Sequence, residues 1–274
     1  MAEPSDDWTG YDPDFLGAAV PLPTPLGDEE VVALTYPRFT VLVETARRFA
    51  ISTGVNIDGA ALRDLARRGD WDLDPRLPAS DQAGPGVYTA NDLDRGHLVR
   101  RRDPGWGTEA EARAAMGATF FYPNAAPQAA GFNQSKELWL GLEDHVLAYA
   151  DATDQRVSVF TAPVLAAGDP PYRGIRVPRR FWKIAAWSTG DGNGELAAAG
   201  FVLDQTELVD AAIGQGAVAP LGGFRTFQVP IADIEPLAGI DLGPLVAADV
   251  LPNAETARPT AWKPLSAPSE IELS

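Results

Sequence analysis

The stretch from Asp94 to Leu98 reads Asp-Arg-Gly-His-Leu and groups side chains that could perform acid–base chemistry on a phosphate ester. His97 is one of two histidines in 274 residues. Its ordinary pKa of about 6.5 lets the imidazole accept a proton near neutral pH. Arg95 could hold a phosphate, and Gly96 allows backbone or ligand to approach closely. The alternative is a structural histidine that is hydrogen-bonded to backbone.

Further motifs follow this stretch in a fixed order. The sequence continues with Asn124-Ala-Ala-Pro-Gln128, then Phe132-Asn133-Gln134, and then Trp139 and Leu142-Glu143. Together with the DRGH tetrapeptide they resemble the DNA/RNA non-specific endonuclease family of the ββα-metal superfamily. DRGH alone is a short string, so the ordered set of motifs makes the resemblance specific. The resemblance extends over residues 36–245.

The resemblance implies roles for two residues. His97 would be the general base that removes a proton from the attacking water. Asn133 would be the one protein ligand of a Mg²⁺ ion, with Mn²⁺ as an alternative, and waters and phosphate oxygens would complete the shell. Magnesium commonly keeps several waters and uses few protein ligands. Asn133 could also serve as the N-cap of the helix that follows, and the two roles are compatible.

Glu143 matches the glutamate of the family's WxxLE motif, which implies that it orients metal-bound water. The alternative is a solvated or ion-paired helix residue. Here the sequence departs from the family, because Trp139 lies six positions after Asn133 rather than four. In a regular helix two extra residues would rotate Glu143 by about 200° relative to Asn133. Asn133 would then precede the helix, or the helix would contain a bulge.

Other residues are expected to contact the substrate. Arg95 would bind the phosphate or stabilise the transition state, unless it forms a salt bridge with Asp94. The remaining candidates for substrate binding are Arg67, Arg100, Asn124 and Gln128. Arg68 is as good a choice as Arg67 by sequence. Asn124 and Gln128 could instead hold the loop ahead of the metal-binding helix, and Arg100 to Arg102 could be a solvated face.

The charge is unevenly distributed. The chain carries a formal net charge of −16, which repels nucleic acid. Residues 1–35 contribute −8 and residues 191–274 contribute −9, so the middle segment that bears the motifs is near neutral at +1. A second basic cluster lies between Arg173 and Lys183. These arginines could bind phosphate locally, or they could be solvated or paired with nearby acids.

The pattern of elements favours an α+β fold, with a central, mostly antiparallel β-sheet flanked by helices and a ββα-metal finger as the active site. Strands are predicted over 157–161, 181–187, 197–203 and 224–229, and one strand or a strand pair over 39–51. Helices are predicted over 60–68, over 108–116 with a capping box, over 135–150, and from residue 231. Asn56 to Gly59 has turn chemistry.

Three regions follow from composition. Residues 1–35 form an acidic, Pro/Gly-rich arm that we expect to be extended or partly disordered. Residues 36–250 form the catalytic domain, and residues 251–274 form a tail. The absence of cysteine excludes disulfides and thiolate metal sites. Neither a membrane span nor a signal peptide is apparent, so we expect no membrane association and a cytoplasmic location, with export by a signal-less route left open.

The functional expectation is a metal-dependent endonuclease with little sequence preference, which acts on DNA and RNA and leaves 5′-phosphates. The family resemblance leaves room for a homodimer. Two alternatives stay open. One is a catalytically degenerate module that binds nucleic acid or protein. The other is a nuclease effector or toxin that is held inactive by an inhibitor protein or by its own acidic arm.

Overall fold

A computed structural model describes residues 4, 5, 7–90, 93–129, 150, 154–189, 194–214, 225–251 and 262–273. An eight-stranded antiparallel sheet forms its centre, in the order β14-β12-β11-β10-β7-β4-β3-β2. Its strands are β2 (Val31–Tyr36), β3 (Phe39–Glu44), β4 (Phe49–Asp58), β7 (Arg156–Val164), β10 (Arg180–Ser188), β11 (Leu196–Asp204), β12 (Arg225–Val229) and β14 (Lys263–Leu265).

The smaller elements surround this sheet. The short strands are β1 (Thr24–Pro25), β5 (Leu93–His97), β6 (Ala125–Ala129), β8 (Pro171–Tyr172), β9 (Ile175–Arg176) and β13 (Ile240–Asp241). The helices are α1 (Pro85–Tyr88), α2 (Glu109–Ala118), α3 (Thr206–Ala212) and α4 (Ile231–Ala238). None of the helices in the described part of the chain combines the length and apolar character needed to cross a bilayer. The predicted α+β class is confirmed.

The long strands are nearly continuous apolar runs because both faces of the sheet are covered. On β10, Phe181 and Ala185 belong to one apolar cluster, while Trp182 and Ile184 belong to the other. This alternation is the period of two that a strand imposes on its side chains. The first cluster includes residues of the hairpin that carries His97, among them Leu93 and Ala125. The candidate site therefore lies on one face of the sheet.

The N-terminal region differs from the expected extended arm. In its described part, Tyr11, Phe15, Leu16 and Val20 are buried in the cluster on the opposite face of the sheet from the His97 hairpin. The hydroxyl of Tyr11 donates a 2.9 Å hydrogen bond to the carbonyl of Val20. Apolar burial accounts for the difference, because the free energy gained by burying four large side chains offsets the entropy cost of ordering a proline- and acid-rich segment.

The local predictions had mixed outcomes. Thr108 caps α2, and the backbone amide of Thr108 in turn donates to Glu111, so the capping box is confirmed. The predicted turn over Asn56–Gly59 is wrong, because β4 continues to Asp58 and the side-chain Nδ2 of Asn56 donates to the carbonyl of Asp12. The predicted helix over 60–68 is also wrong, since only a 3₁₀ turn forms at Gly59–Ala61. Backbone pairing with residues 105–107 replaces it.

Candidate active site

The DRGH residues form β5, which pairs antiparallel with β6 in a two-stranded ribbon. His97 lies opposite Ala125, and Arg95 lies opposite Pro127. Because side chains alternate along a strand, Arg95 and His97 extend from the same face of the ribbon. Arg95 is exposed, His97 is half-buried, and Gly96 between them is buried against the interior. The tetrapeptide thus places Arg95 and His97 on one face of the ribbon and Gly96 on the face that packs against the protein interior.

Gly96 is required by the side chain of Gln128. A Cβ on Gly96 would lie 2.0 Å from Cδ and 2.2 Å from Oε1 of Gln128, far inside van der Waals contact. Gln128 is 2% exposed. We therefore replace the substrate-binding interpretation of Gln128 with a positioning role, because a buried amide that packs on the rear of β5 has no surface to offer a polymer.

Asn124 holds the chain just after His97. Its Nδ2 donates to the carbonyls of Val99 at 2.8 Å and Thr119 at 2.9 Å, and its Oδ1 accepts from the amide of Val99 at 2.9 Å. The residue is completely buried. The substrate-binding interpretation of Asn124 is corrected in the same way, since these backbone partners occupy both Nδ2 protons and Oδ1. Asn124 therefore fixes the chain around Val99, just after His97.

Two aromatic rings flank the imidazole of His97. The centroid of Trp71 lies 4.5 Å from that of His97, and Phe120 lies 5.0 Å away in an edge-on arrangement. Sequence reasoning did not place either ring here, because both lie more than 20 residues from His97 and no local pattern links them to it. Backbone hydrogen bonds between Asp72 and residues 120 and 122 bring these rings together.

The protonation state of His97 follows from these surroundings. Burial lowers the pKa of His97 from 6.5 to about 3, and the other causes are four arginine charges, in order Arg67, Arg100, Arg101 and Arg95. The imidazole is therefore neutral at pH 7. Its Nε2 is shielded from solvent and has no hydrogen-bond partner among the described residues. Buried polar atoms usually have partners, so this one is available to a water or a substrate.

Arg67 and Arg100 are both close enough to His97 to influence it. The guanidinium carbon of Arg67 lies 5.4 Å from the centroid of the Phe120 ring, and Arg67 is exposed. Arg68 acts instead on Glu109 of α2, which favours Arg67 as the arginine beside the imidazole. The backbone amide of Arg100 donates to Asp103 at 3.2 Å, which fixes the turn after β5.

Comparison with known proteins identifies this arrangement. Residues 19–249 match the family described as DNA/RNA non-specific endonuclease. The chain belongs to this family. The family resemblance predicted from DRGH and the motifs after it is thereby confirmed.

Individual relatives of this endonuclease family show different degrees of similarity. An uncharacterized protein, y4fB, of Sinorhizobium fredii is 36% identical over 92% of this chain, which spans only 42% of that protein's length. A nuclease of Nostoc is 24% identical over 73% of this chain and 67% of its own. The mitochondrial endonuclease G of Bos taurus is 29% identical over 65% of this chain and 57% of its own.

A solved structure of the EndoG/EndoGI complex shares the fold of this endonuclease-family chain. The TM-score is 0.58 at 20% sequence identity, and the match covers 78% of this chain and 86% of that one. At this identity the similarity concerns the fold. It agrees with the large antiparallel sheet and few helices of the present chain.

The predicted metal ligand and its partner, Asn133 and Glu143, lie outside the described residues, as does the helix predicted over 135–150 except for Ala150, which is helical. The described ranges contain no group of three or more histidines and carboxylates that could hold a metal ion. The roles of Asn133 and Glu143, and the effect of the two extra residues between Asn133 and Trp139, stay predictions.

The second basic cluster has structural partners. Arg173 donates to backbone carbonyls at the end of α1, and Arg176 donates to the carbonyl of Asp169 at 3.0 Å. Arg179 forms an ion pair with Asp210. Lys183 is buried within β10. The alternative that these residues are paired within the protein is the one that the structure supports for Arg173, Arg176 and Arg179.

Proposed function

We propose that this member of the DNA/RNA non-specific endonuclease family hydrolyses phosphodiester bonds in DNA and RNA with little sequence preference. The observation that carries the proposal is the state of His97. It is a neutral imidazole whose Nε2 has no hydrogen-bond partner in the described part of the chain, and four arginine charges act on it. The imidazole can accept a proton from water, and the nearby arginines can neutralise the negative charge of a phosphate.

In the proposed reaction His97 takes one proton from a water molecule that attacks phosphorus. The bond between phosphorus and the 3′-oxygen breaks, and the leaving 3′-oxygen takes a proton from solvent water, so the products are a 5′-phosphate and a 3′-hydroxyl. Arg95, on the same face of β5 as His97, binds the phosphate and stabilises its added negative charge. A bound phosphate also offsets the arginine charges that lower the pKa of His97, so the imidazole becomes a stronger base when substrate is present.

We propose that Asn133 holds one Mg²⁺, with Mn²⁺ as a substitute, and that Glu143 orients water around it. A bound divalent ion would stabilise negative charge on the phosphate and on the departing 3′-oxygen. The donor chemistry fits, since an amide oxygen with water is a suitable set for Mg²⁺. The guanidinium groups of Arg67 and Arg95 are suited to phosphate rather than to a cation, so the proposed ion depends on Asn133 as its protein ligand.

A protein inhibitor is a further proposed partner. The fold neighbour was solved as an EndoG/EndoGI complex, in which EndoG is inhibited. An endonuclease in the cytoplasm, the location proposed here, would damage its host without such control. Inhibition by the chain's own arm is not supported for residues 11–20, because Tyr11, Phe15, Leu16 and Val20 pack on the face opposite the His97 strand pair.

The test is cleavage of plasmid DNA and of total RNA by the purified protein. Three conditions are compared: Mg²⁺, excess EDTA, and Mg²⁺ with the His97→Ala variant. We expect cleavage in the first condition only. Activity that survives His97→Ala in a folded protein would refute the assigned base. Tight DNA binding by wild type without any cleavage would instead indicate a degenerate binding module.

A further inference from the structure

Gln205 is completely buried at the end of the central sheet, between β11 and α3. Its side-chain amide is directed at backbone. The Nε2 donates to the carbonyls of Pro127 at 3.1 Å and Pro178 at 2.8 Å, and the Oε1 accepts from the amide of Ala129 at 3.1 Å. The backbone amide of Gln205 donates to the carbonyl of Arg179 at 2.9 Å. One residue therefore joins the ribbon of β5 and β6 to the place where β10 begins.

The contact between Gln205 and β6 uses the groups that a neighbouring strand would use. Pro127 and Ala129 are two positions apart, so the carbonyl of the first and the amide of the second lie on the same edge of β6. Both residues are buried, and buried backbone groups need hydrogen-bond partners. Pro127 has no N–H of its own to satisfy. The amide of Gln205 thus holds β6 at two points, as one residue of a paired strand would.

These hydrogen bonds lie behind Arg95, which is opposite Pro127 in the ribbon. Arg95 is exposed, so the backbone of β5, rather than packing of the side chain, decides where its guanidinium group can reach. At the other end of the ribbon, Asn124 bonds to the backbone just after His97. Two buried amides therefore hold the ribbon, Asn124 at the His97 end and Gln205 at the Arg95 end.

We infer that Gln205 is a positioning residue that places Arg95 against the scissile phosphate. This inference rests on the proposed nuclease function, in which Arg95 binds that phosphate. The guanidinium fork must match the phosphate oxygens to donate two parallel hydrogen bonds. A misplacement of about 1 Å at such a contact can slow a reaction by up to about 100-fold. Because Gln205 is completely buried, it acts on the substrate only through the ribbon.

The experiment compares Gln205→Met with Gln228→Met. Methionine is as long and unbranched as glutamine but lacks the amide donors and acceptor. Gln228 is the matched control, because it is an equally buried amide on β12 that bonds both backbone groups of Glu272. We expect similar losses of stability in urea for the two variants. Cleavage should become about tenfold slower, and binding of a labelled DNA duplex roughly threefold weaker, for Gln205→Met alone.

A double-mutant cycle with Arg95→Ala separates positioning from a general loosening of the fold. Cleavage is measured with Mg²⁺, and duplex binding is measured in excess EDTA. In the Arg95→Ala background, Gln205→Met should change either quantity by less than about twofold, because the group that it positions is gone. If Gln205→Met does not fold, Gln205→Asn replaces it in the cycle, since the shorter amide cannot reach all three backbone partners.

An undiminished effect of the Gln205 variant in the Arg95→Ala background would overturn the inference. Cleavage and binding equal to those of Gln228→Met would also overturn it, as would an Arg95→Ala variant that changes neither quantity. The two proposals can fail separately. Wild-type cleavage with additive effects refutes only the positioning role, whereas coupled effects on binding without any cleavage by wild type refute only the nuclease assignment.

Discussion

At the scale of single residues, Gly96 and Gln128 form one packing unit although 31 other residues separate them. The side-chain amide of Gln128 occupies the space that a Cβ on Gly96 would fill. The DRGH and Asn124–Gln128 motifs therefore meet in this contact. The position of His97, the proposed general base, depends on this contact, since His97 is the next residue along β5.

Gly96→Ala should destabilise the protein and reduce cleavage. The new Cβ would lie 2.0 Å from Gln128 Cδ, and overpacking of this kind costs about 1–3 kcal/mol. Urea unfolding measures the loss. The matched control is Gly96→Ala combined with Gln128→Ala, which removes the obstructing atoms and should recover part of the stability. A double variant less stable than both single variants would contradict the packing argument.

The pKa of His97 predicts a pH dependence of stability. In the folded protein the imidazole has a pKa of about 3, while in the unfolded chain it has about 6.5. Between these values only the unfolded chain binds the proton, so stability falls as the pH drops below 6.5. The slope approaches about 1.4 kcal/mol per pH unit.

The measurement compares wild type with His97→Gln by urea unfolding at pH 7 and pH 5. Both proteins lose the contributions of their carboxylates, so the difference isolates the imidazole. We expect wild type to lose about 2 kcal/mol more than the variant over this range. Parallel losses in the two proteins would show that His97 titrates normally and is not desolvated.

At the scale of elements, the end of β4 contacts Ala150, where the helix predicted over 135–150 ends. Gly59 donates its amide to the carbonyl of Gln155 at 2.9 Å, and Gln155 donates to the carbonyl of Ala150 at 3.0 Å. A Cβ on Gly59 would lie 1.9 Å from that carbonyl oxygen of Ala150. Since backbone cannot rotate away as a side chain can, glycine is needed at this contact.

Gly59→Ala should therefore shift Ala150 and the helix predicted to carry Glu143. We expect a loss of about 1–3 kcal/mol in stability and a larger proportional loss of cleavage. The matched control is Gly168→Ala, where the added Cβ meets nothing within 4 Å. Urea unfolding and plasmid cleavage are measured for both. Equal behaviour of the two variants would contradict the assigned contact.

At the scale of the whole molecule, the N-terminal segment closes the face of the sheet that lies away from His97. Phe15 contacts Trp106 with ring centroids 5.8 Å apart. Trp106 also donates its indole N–H to the carbonyl of Asn56 at 2.8 Å. The segment therefore packs against the chain that follows Arg100 to Arg102.

Removal of residues 1–22 should lower stability and should not activate the enzyme. The deletion exposes the apolar face that Tyr11, Phe15, Leu16 and Val20 cover. Thermal unfolding and cleavage are measured together. Glu29→Gln with Glu30→Gln is the control, because it removes acidic charge at two exposed residues while the packing stays. A rise in cleavage by either variant would restore autoinhibition as an explanation.

The sequence by itself determined the protein family and those local structures that depend on residues near one another in the chain. DRGH, the later motifs and their order led to the family, and the alternating or continuous apolar runs predicted β7, β10, β11 and β12. The capping box at Thr108 was readable because both partners lie three residues apart. Hydrophobic periodicity and helix capping act over a few residues, so a sequence contains them directly.

Only the tertiary structure decided which distant side chains meet. Trp71 and Phe120 reach His97, Asn124 and Gln128 turn inward, and the N-terminal segment packs on the far face. The same holds for 60–68, where pairing with residues 105–107 replaced the predicted helix. The physical reason is that such contacts form between segments far apart in the chain. Their free energy depends on the partner surface, which no local pattern encodes.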